Sequence, residues 1–181
     1  MLRRIRALPA TKHLSEYLTI SFCECLIVKR RLKHFKSEVA MLNVEPFLLF
    51  DGNCAEAMAF YESCLGGELT VTKVNATPMK DHMPSEQHNK VAYAHLQHQA
   101  IAFSATDWMH PTQTPKPGNT VCMYLNGGTY DELRAIFDKL AVGADEALLE
   151  DLRDMPFGIY GHLADKYGVH WFFRGEKRSE P

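Results

Sequence analysis

The chain has 181 residues, of which 46% are hydrophobic and 23% charged, values typical of one globular domain with a full core. Its charge is unevenly distributed: residues 1–40 carry 9 Lys and Arg against 3 Asp and Glu, whereas the remaining residues carry 11 against 19 and are therefore net acidic by 8. An acidic body argues against nucleic-acid binding by the domain itself.

The first 40 residues form a basic segment that we expect to lie outside the folded domain. Leu18–Val28 is an apolar run that Glu24 interrupts, and it is too short to span a membrane. A basic stretch follows it where a secretory signal would have small residues for cleavage. We therefore predict a domain over residues 41–175 and a polar tail over 176–181, with residues 1–40 either a disordered extension or an overlong start assignment.

Cysteine usage indicates a reducing compartment. The five cysteines (23, 25, 54, 64 and 122) are odd in number and contain no repeated C-x-x-C, which fits free thiols in the cytoplasm better than a disulfide framework. We predict that Cys54, Cys64 and Cys122 are buried structural thiols without a nucleophilic role.

The folded part begins with a strand, V-E-P-F-L-L-F, followed by a helix. Asn53 and Glu56 have the spacing of a capping box at the start of this helix, and Gly66-Gly67 ends it. Apolar residues fall on two stripes of the helix, so we expect it to pack against a sheet and against a second element, with Phe60-Tyr61 serving packing. Three strand candidates follow: E-L-T-V-T-K-V, N-K-V-A-Y-A-H-L-Q and A-I-A-F-S-A.

The same order of elements recurs in the second half of the chain. T-V-C-M-Y-L-N is a strand, Thr129 and Glu132 form a second capping box, and a helix runs from there toward Gly143. The residues repeat as well, because Y-A-H-L at 93–96 returns as Y-G-H-L at 160–163. The sequence therefore predicts an α+β fold of two repeated βαβββ units, whose paired curved sheets surround a cavity.

Strand alternation indicates which side chains line that cavity. On the third strand Ala94 and Leu96 are small or apolar and suit the side beneath the helix, which turns Tyr93, His95 and Gln97 to the other side. The same parity in the second half turns Tyr160 and His162 inward, and His170 follows on the last strand.

Two stretches resemble a known family. P-F-L-L-F-D-G-N-C-A-E-A-M-A-F-Y-E-S-C-L-G-G-E-L and D-K-Y-G-V-H-W are similar to the PhnB-like branch of the glyoxalase/bleomycin-resistance/extradiol dioxygenase group, the vicinal oxygen chelate (VOC) superfamily. The resemblance covers about residues 42–175. It implies the duplicated fold described above, a homodimer, and, in the family's enzymes, one divalent metal held by His, Gln or Glu on the first and last strands of each half.

The resemblance places the metal ligands at positions that carry few donors in this chain. They correspond to Pro46 or Phe47, Ala102, Asn119 and Phe172, of which only Asn119 can donate to a metal. We therefore expect no metal or other cofactor. The favoured interpretation is a cytoplasmic small-molecule-binding protein of unassigned reaction, with no membrane or nucleic-acid partner, in which Phe172 favours a planar or hydrophobic ligand.

An alternative interpretation is an enzyme, a metal-dependent glyoxalase or dioxygenase with a relocated site. Its divalent metal would be held by His95, His162 and His170, with Tyr93 or Tyr160 donating to a bound oxyanion. A purely structural module is a third interpretation. A methyltransferase is not supported, because no strand is followed by a glycine-rich turn of the kind that binds an adenosyl cofactor.

Overall fold

A computed structural model describes residues 42–177, so the prediction for residues 1–40 lies outside the described residues. Within the described range the elements are, in chain order, β1 (Phe47–Phe50), α1 (Cys54–Leu65), β2 (Glu68–Lys73), β3 (Val91–His98), β4 (Ile101–Asp107), β5 (Met123–Asn126), α2 (Tyr130–Leu140), β6 (Glu150–Met155), β7 (Gly158–Ala164) and β8 (His170–Gly175). Short 3-10 helices occupy part of the connection from β2 to β3.

The strands form two four-stranded sheets with the same internal order, β1-β4-β3-β2 and β5-β8-β7-β6. In each sheet the first and last strands of the half pair in parallel, and the other pairs are antiparallel. The Y-A-H-L and Y-G-H-L segments lie on β3 and β7, which hold equivalent places. The predicted α+β fold of two βαβββ units is confirmed.

Each sheet packs its helix against one face. α1 buries six residues, which are Cys54, Ala57, Met58, Tyr61, Cys64 and Leu65. Beneath it lie Ala94 and Leu96 on β3 and Phe103 on β4, all 0% exposed. Full burial of a large apolar side chain contributes about 1.5–3 kcal/mol, so this layer is a main source of the stability of the first half.

The predicted capping box at the start of α1 is wrong. Asn53 makes no side-chain cap; instead, Asp107 at the end of β4 accepts the Cys54 N–H at 2.9 Å through Oδ1 and the Val91 N–H at 2.8 Å through Oδ2. Glu56 is held elsewhere, since it accepts a hydrogen bond from Tyr167. A buried carboxylate from a distant strand therefore satisfies the orphan donor at the helix start. Burial, and then Asp107, raise the pKa of Cys54 to about 12.

The capping box of α2 is confirmed. Thr129 Oγ1 accepts the Glu132 N–H at 3.3 Å, and Glu132 Oε2 accepts the Thr129 N–H at 2.8 Å. These hydrogen bonds to Thr129 hold the pKa of Glu132 below its usual range. The two helices therefore start by different means, α1 with a long-range carboxylate and α2 with its own sequence.

The double glycine after α1 allows the chain to turn directly into β2. Gly66 and Gly67 have φ values of 74° and 102°, in the left-handed region that favours glycine. A Cβ at Gly67 would also collide with the carbonyl oxygen of Gln97 on β3. Both the backbone angle and the close approach of β3 therefore require glycine at position 67.

The two halves are joined through a buried aspartate in the β7–β8 turn. Asp165 is 3% exposed. Its Oδ2 accepts from the Tyr61 hydroxyl at 2.9 Å and from Trp171 Nε1 at 2.8 Å, and its Oδ1 accepts the N–H groups of Tyr167 at 2.8 Å and Val169 at 3.1 Å. Burial, and then Asp165, raise the pKa of Tyr61. Through Tyr61, α1 thus contacts the other half, as predicted, although its buried residues form one face and not two separate stripes.

Candidate functional site

The sheet surfaces opposite the helices are open to solvent. We call them face A, on the β1–β4 sheet, and face B, on the β5–β8 sheet. The predicted alternation is confirmed on both: Tyr93 and His95 alternate with buried residues on face A, as Tyr160 and His162 do on face B. In the single chain both faces are accessible, because Tyr93 is 43% and Tyr124 57% exposed.

Face A carries a chain of hydrogen bonds centred on Ser104. Ser104 Oγ lies 3.0 Å from the Tyr93 hydroxyl and 3.0 Å from His95 Nδ1, and His95 Nε2 lies 3.3 Å from Gln97 Oε1. One set of donors satisfies all three bonds: Tyr93 donates to Ser104, Ser104 donates to Nδ1, and the Nε2–H donates to Gln97. The tyrosine and histidine rings stack, 6.3 Å apart with 6° between their planes.

Face B carries a pair of histidines against an aromatic ring. His162 Nε2 lies 3.0 Å from His170 Nδ1, and the His162 and Phe172 ring centres are 4.4 Å apart. Burial, and then the neighbouring His170, lower the pKa of His162. The Tyr160 ring adjoins Phe172 at 6.2 Å between centres. Four of the predicted site residues are therefore brought together on one surface.

His170 also borders two open clefts. One, of about 560 Å³, lies between β1 and the start of β8 and is lined by Phe47 and Val121 among others. The other, of about 410 Å³, includes Asn119 and Asp145. The structure thus places Asn119 in the same cleft as His170, away from face A.

The strand register corrects two of the family-derived ligand positions. β5 begins at Met123, so Asn119 lies in the bend before it and is not a strand position. Phe47 pairs with Ser104, just as Tyr124 pairs with Phe172. The equivalent positions are therefore Phe47, Ser104, Tyr124 and Phe172; Ala102, proposed from the resemblance, lies two residues away and pairs with Gln97. Sequence reasoning missed Ser104 and Tyr124 because strand pairing, which fixes equivalence between the halves, is not visible in a single sequence.

The histidine set of the alternative hypothesis is divided between the faces. His162 and His170 are paired on face B, whereas His95 bonds to Ser104 and Gln97 on face A. Among residues 42–177, no three His, Cys, Asp or Glu side chains converge as a metal-holding group. The expectation that the protein binds no metal stays a prediction.

The cysteine prediction is confirmed in two of three cases. Cys54 and Cys64 are buried, and burial raises the pKa of the Cys64 thiol. Cys122 is exposed, so the prediction for it is wrong: it immediately precedes β5, outside the packed layers. In the part of the chain that the structure describes, no helix has the length and apolar character needed to cross a membrane.

Comparison with known proteins gives a consistent assignment. A family described as 3-demethylubiquinone-9 3-methyltransferase matches residues 42–173. The structure of protein PA1353 from Pseudomonas aeruginosa is similar at a TM-score of 0.66 and 27% identity, covering 76% of this chain and 100% of that one. PhnB protein from Bacillus cereus has a TM-score of 0.58 and 27% identity, covering 74% and 99%.

A more distant structure supports the fold. A glyoxylase/bleomycin resistance protein/dioxygenase domain from Frankia sp. EAN1pec has a TM-score of 0.50 and 12% identity, covering 77% of this chain and 96% of that one. At that identity the likeness concerns the fold alone. Because the family match spans most of the described residues, the chain belongs to the family described as 3-demethylubiquinone-9 3-methyltransferase; it is similar to PhnB protein, and its fold is that of a glyoxylase/bleomycin resistance protein/dioxygenase domain.

Proposed function

We propose that this protein is a homodimeric small-molecule-binding protein of the PhnB-like family, whose ligand sites are faces A and B. The observation that carries the proposal is which side chains lie on the open faces: tyrosine and histidine occupy the middle of both sheets, and Phe172 joins them on face B, where a two-layer protein would otherwise present ordinary surface polar groups. Large apolar surface with a few convergent polar groups is typical of a ligand site.

A second copy of the chain is the proposed cover for these faces. Phe47 and Leu49 on β1 are 52% and 41% exposed, and Tyr124 on β5 is 57% exposed. A symmetric partner that laid its own sheets over these strands would bury them and convert each open face into an enclosed cavity. The dimer therefore supplies the enclosure that a single chain lacks.

Face A suits binding better than covalent catalysis. A nucleophilic serine needs access to substrate as well as a base. Ser104 has the base, His95, but is 5% exposed and its oxygen is engaged on both sides by Tyr93 and His95. The exposed groups are the rings of Tyr93 and His95, which can stack on a ligand and exchange hydrogen bonds with its polar groups.

A metal-dependent lyase or dioxygenase is the second candidate, and the histidine pair favours it. The 3.0 Å between His162 Nε2 and His170 Nδ1 is a hydrogen-bond distance; two nitrogens that bind neighbouring positions of one octahedral ion at about 2.1 Å would lie equally far apart, whereas a tetrahedral ion would hold them about 3.4 Å apart. Further donors would have to come from a partner subunit or from substrate. This candidate predicts metal that depends on His162.

One set of measurements separates the candidates. The full chain, untagged and never exposed to chelator, is examined by light scattering for its mass, by elemental mass spectrometry for metal, and by thermal shift against a small-molecule library. We expect a dimer, little metal and ligand-dependent stabilisation without turnover. A monomer with no stabilising ligand would contradict the proposal. Near-stoichiometric metal that His162→Ala removes would favour the second candidate instead.

The family's description names a methyl transfer, and the prediction that this chain does not catalyse it has its own test. The full chain is incubated with radiolabelled S-adenosylmethionine and quinone precursors. Label transferred to product above a heat-denatured control would contradict the prediction.

A further inference from the structure

Face B carries an arginine, Arg174, that forms no ion pair with a carboxylate among the described residues. Arg174 on β8 is exposed, donates to the Phe157 carbonyl oxygen at 3.4 Å, and lies 5.2 Å from the centre of the Phe157 ring. Within residues 42–177, the arginines that pair with a carboxylate are Arg134 and Arg153. Most of the five N–H donors of Arg174 are therefore free to bind a ligand.

A second donor adjoins this arginine. Strand register places Asn126 beside Arg174 on one side and Tyr160 on the other. Asn126 Oδ1 accepts from the Tyr124 hydroxyl at 3.4 Å, which leaves its amide N–H groups available. A guanidinium and an amide next to each other suit an anionic group with several acceptor oxygens.

Aromatic rings form the rest of the surface. Tyr160 lies 6.3 Å from Phe157 and 6.2 Å from Phe172 between ring centres. Phe157 is 50% exposed. Rings that stay partly in water gain most by burial against a flat apolar group, so the surface beside Arg174 suits a planar ring.

The acidic groups nearby do not cancel this charge. Glu150 is already paired with Arg153 at 2.8 Å, and Glu176 borders a different pocket, at the start of α2 with Glu132. Residues 41–181 are net acidic by 8, with 11 Lys and Arg against 19 Asp and Glu. An unpaired arginine on an aromatic surface of an acidic body is a local site for a negative charge.

The equivalent positions of the first half lack this chemistry. Thr106 holds the place of Arg174, as Leu49 holds that of Asn126, by the register of β1 with β4 and of β5 with β8. Thr106 Oγ1 donates to the main chain, to the Val91 and Ala92 carbonyls at 3.0 Å each. The duplication therefore provides an internal control, in which the charge of Arg174 has no counterpart at the equivalent position of face A.

We propose that face B binds a small molecule with an aromatic ring and an anionic group such as a carboxylate. Arg174 is the counter-ion, Asn126 is a second donor, and the ring lies against Tyr160 and Phe172. The inference rests on the proposed function, small-molecule binding, and adds the chemical class of the ligand.

The test compares two probes that differ only in charge, 2-naphthoate and 2-naphthamide, by titration calorimetry on the full chain at low ionic strength. One charge-assisted contact predicts that naphthoate binds about tenfold or more tightly than the amide. Arg174→Gln should abolish this preference and Arg174→Lys should keep part of it. Lys73→Gln, which removes an equal charge from the exposed edge strand β2, should leave it unchanged.

The outcomes separate the two proposals. Equal affinity for both probes, or a preference that survives Arg174→Gln in a variant with unchanged thermal stability, overturns the anionic class and leaves small-molecule binding intact. A failure of both probes to bind overturns the inference as well. If the library screen described above then also yields no stabilising compound, the proposed function fails with it.

Discussion

The two halves of the molecule share a backbone and differ in the chemistry of their open faces. On face A, Ser104 links Tyr93 and His95 in a chain of hydrogen bonds. On face B, Phe172 holds the place of Ser104, and Arg174 lies two residues further along β8. The buried positions keep their small or apolar character because they must fit beneath a helix, whereas the open positions carry no such packing constraint. The duplication therefore preserves the fold and leaves the faces free to specialise.

The buried aspartates of the two halves also have different structural roles. Asp107 fastens the start of α1 and the start of β3 within the first half. Asp165 orders the β7–β8 turn and reaches across to Tyr61 in the first half. Substitutions at the two positions should therefore affect stability in different ways.

The largest effect is expected at the junction between the halves. Asp165→Asn keeps one acceptor oxygen and replaces the other with an amide N–H2 group, which cannot accept a hydrogen bond. Depending on the orientation of the amide, the donors left without an acceptor are either Tyr61 and Trp171 or the two main-chain N–H groups. Leaving two buried donors unsatisfied should lower the free energy of unfolding by about 3 kcal/mol, measured by urea denaturation.

Asp138→Asn is the matched control for this change. Asp138 is 61% exposed and pairs with Arg134 on the surface of α2, so the same substitution there should cost less than about 0.5 kcal/mol. Equal losses in the two variants would show that the carboxylate of Asp165 does not hold the halves together.

The helix starts give the next largest contrast. Asp107→Asn removes one of two acceptors for buried main-chain N–H groups and should cost about 2 kcal/mol. Thr129→Ala removes the exposed cap of α2 and should cost about 1 kcal/mol. Urea denaturation of both variants measures the difference, and a larger loss for Thr129→Ala would contradict the assignment of Asp107 as the cap of α1.

Alanine substitutions at Gly67 and Gly127 distinguish the cost of backbone strain from the cost of a steric collision. Gly67 and Gly127 have similar φ values, 102° and 96°, but an added Cβ would collide with the Gln97 carbonyl at position 67 and meets nothing within 4 Å at position 127. Alanine at either position introduces strain. We expect Gly67→Ala to lower the thermal midpoint further, by an extra loss of about 1 kcal/mol. Equal midpoints would mean that β2 shifts away from β3 without penalty.

Elements with local signals could be predicted from the sequence. The capping box at Thr129 and Glu132, the double glycine, and the two-residue alternation on β3 and β7 depend on neighbours within a few residues, and the repeat could be recognised because its two copies share residues. The resemblance supplied the family. The features that could not be predicted depend on long-range contacts. Asp107, and not Asn53, caps α1, and the sequence did not reveal this because Asp107 lies 53 residues from its partner Cys54 along the chain. Ser104 could be identified only once the pairing of β1 with β4 was known.

The last prediction concerns pH and the histidine pair of face B. Burial and His170 lower the pKa of His162 beneath its ordinary value of 6.5. Below pH 6.5 the unfolded chain therefore binds more protons at this residue than the folded chain does. The contribution of His162 to stability is therefore fully present above pH 6.5, and it is lost as the pH falls from 6.5 through the lower pKa that His162 has in the folded chain.

Replacing His162 should remove part of this pH dependence. We expect His162→Gln to show a smaller drop in urea midpoint between about pH 7.5 and about pH 5.5 than the unmodified chain does. His82→Gln, in an exposed part of the β2–β3 connection, should leave the drop unchanged. The measurement is the change in urea midpoint between the two pH values, compared between the variant and the unmodified chain. A loss of packing at His162 lowers the midpoint at both pH values and therefore does not affect this comparison. If the drop is the same in all three proteins, folding does not lower the pKa of His162, which contradicts the burial of this ring beside His170.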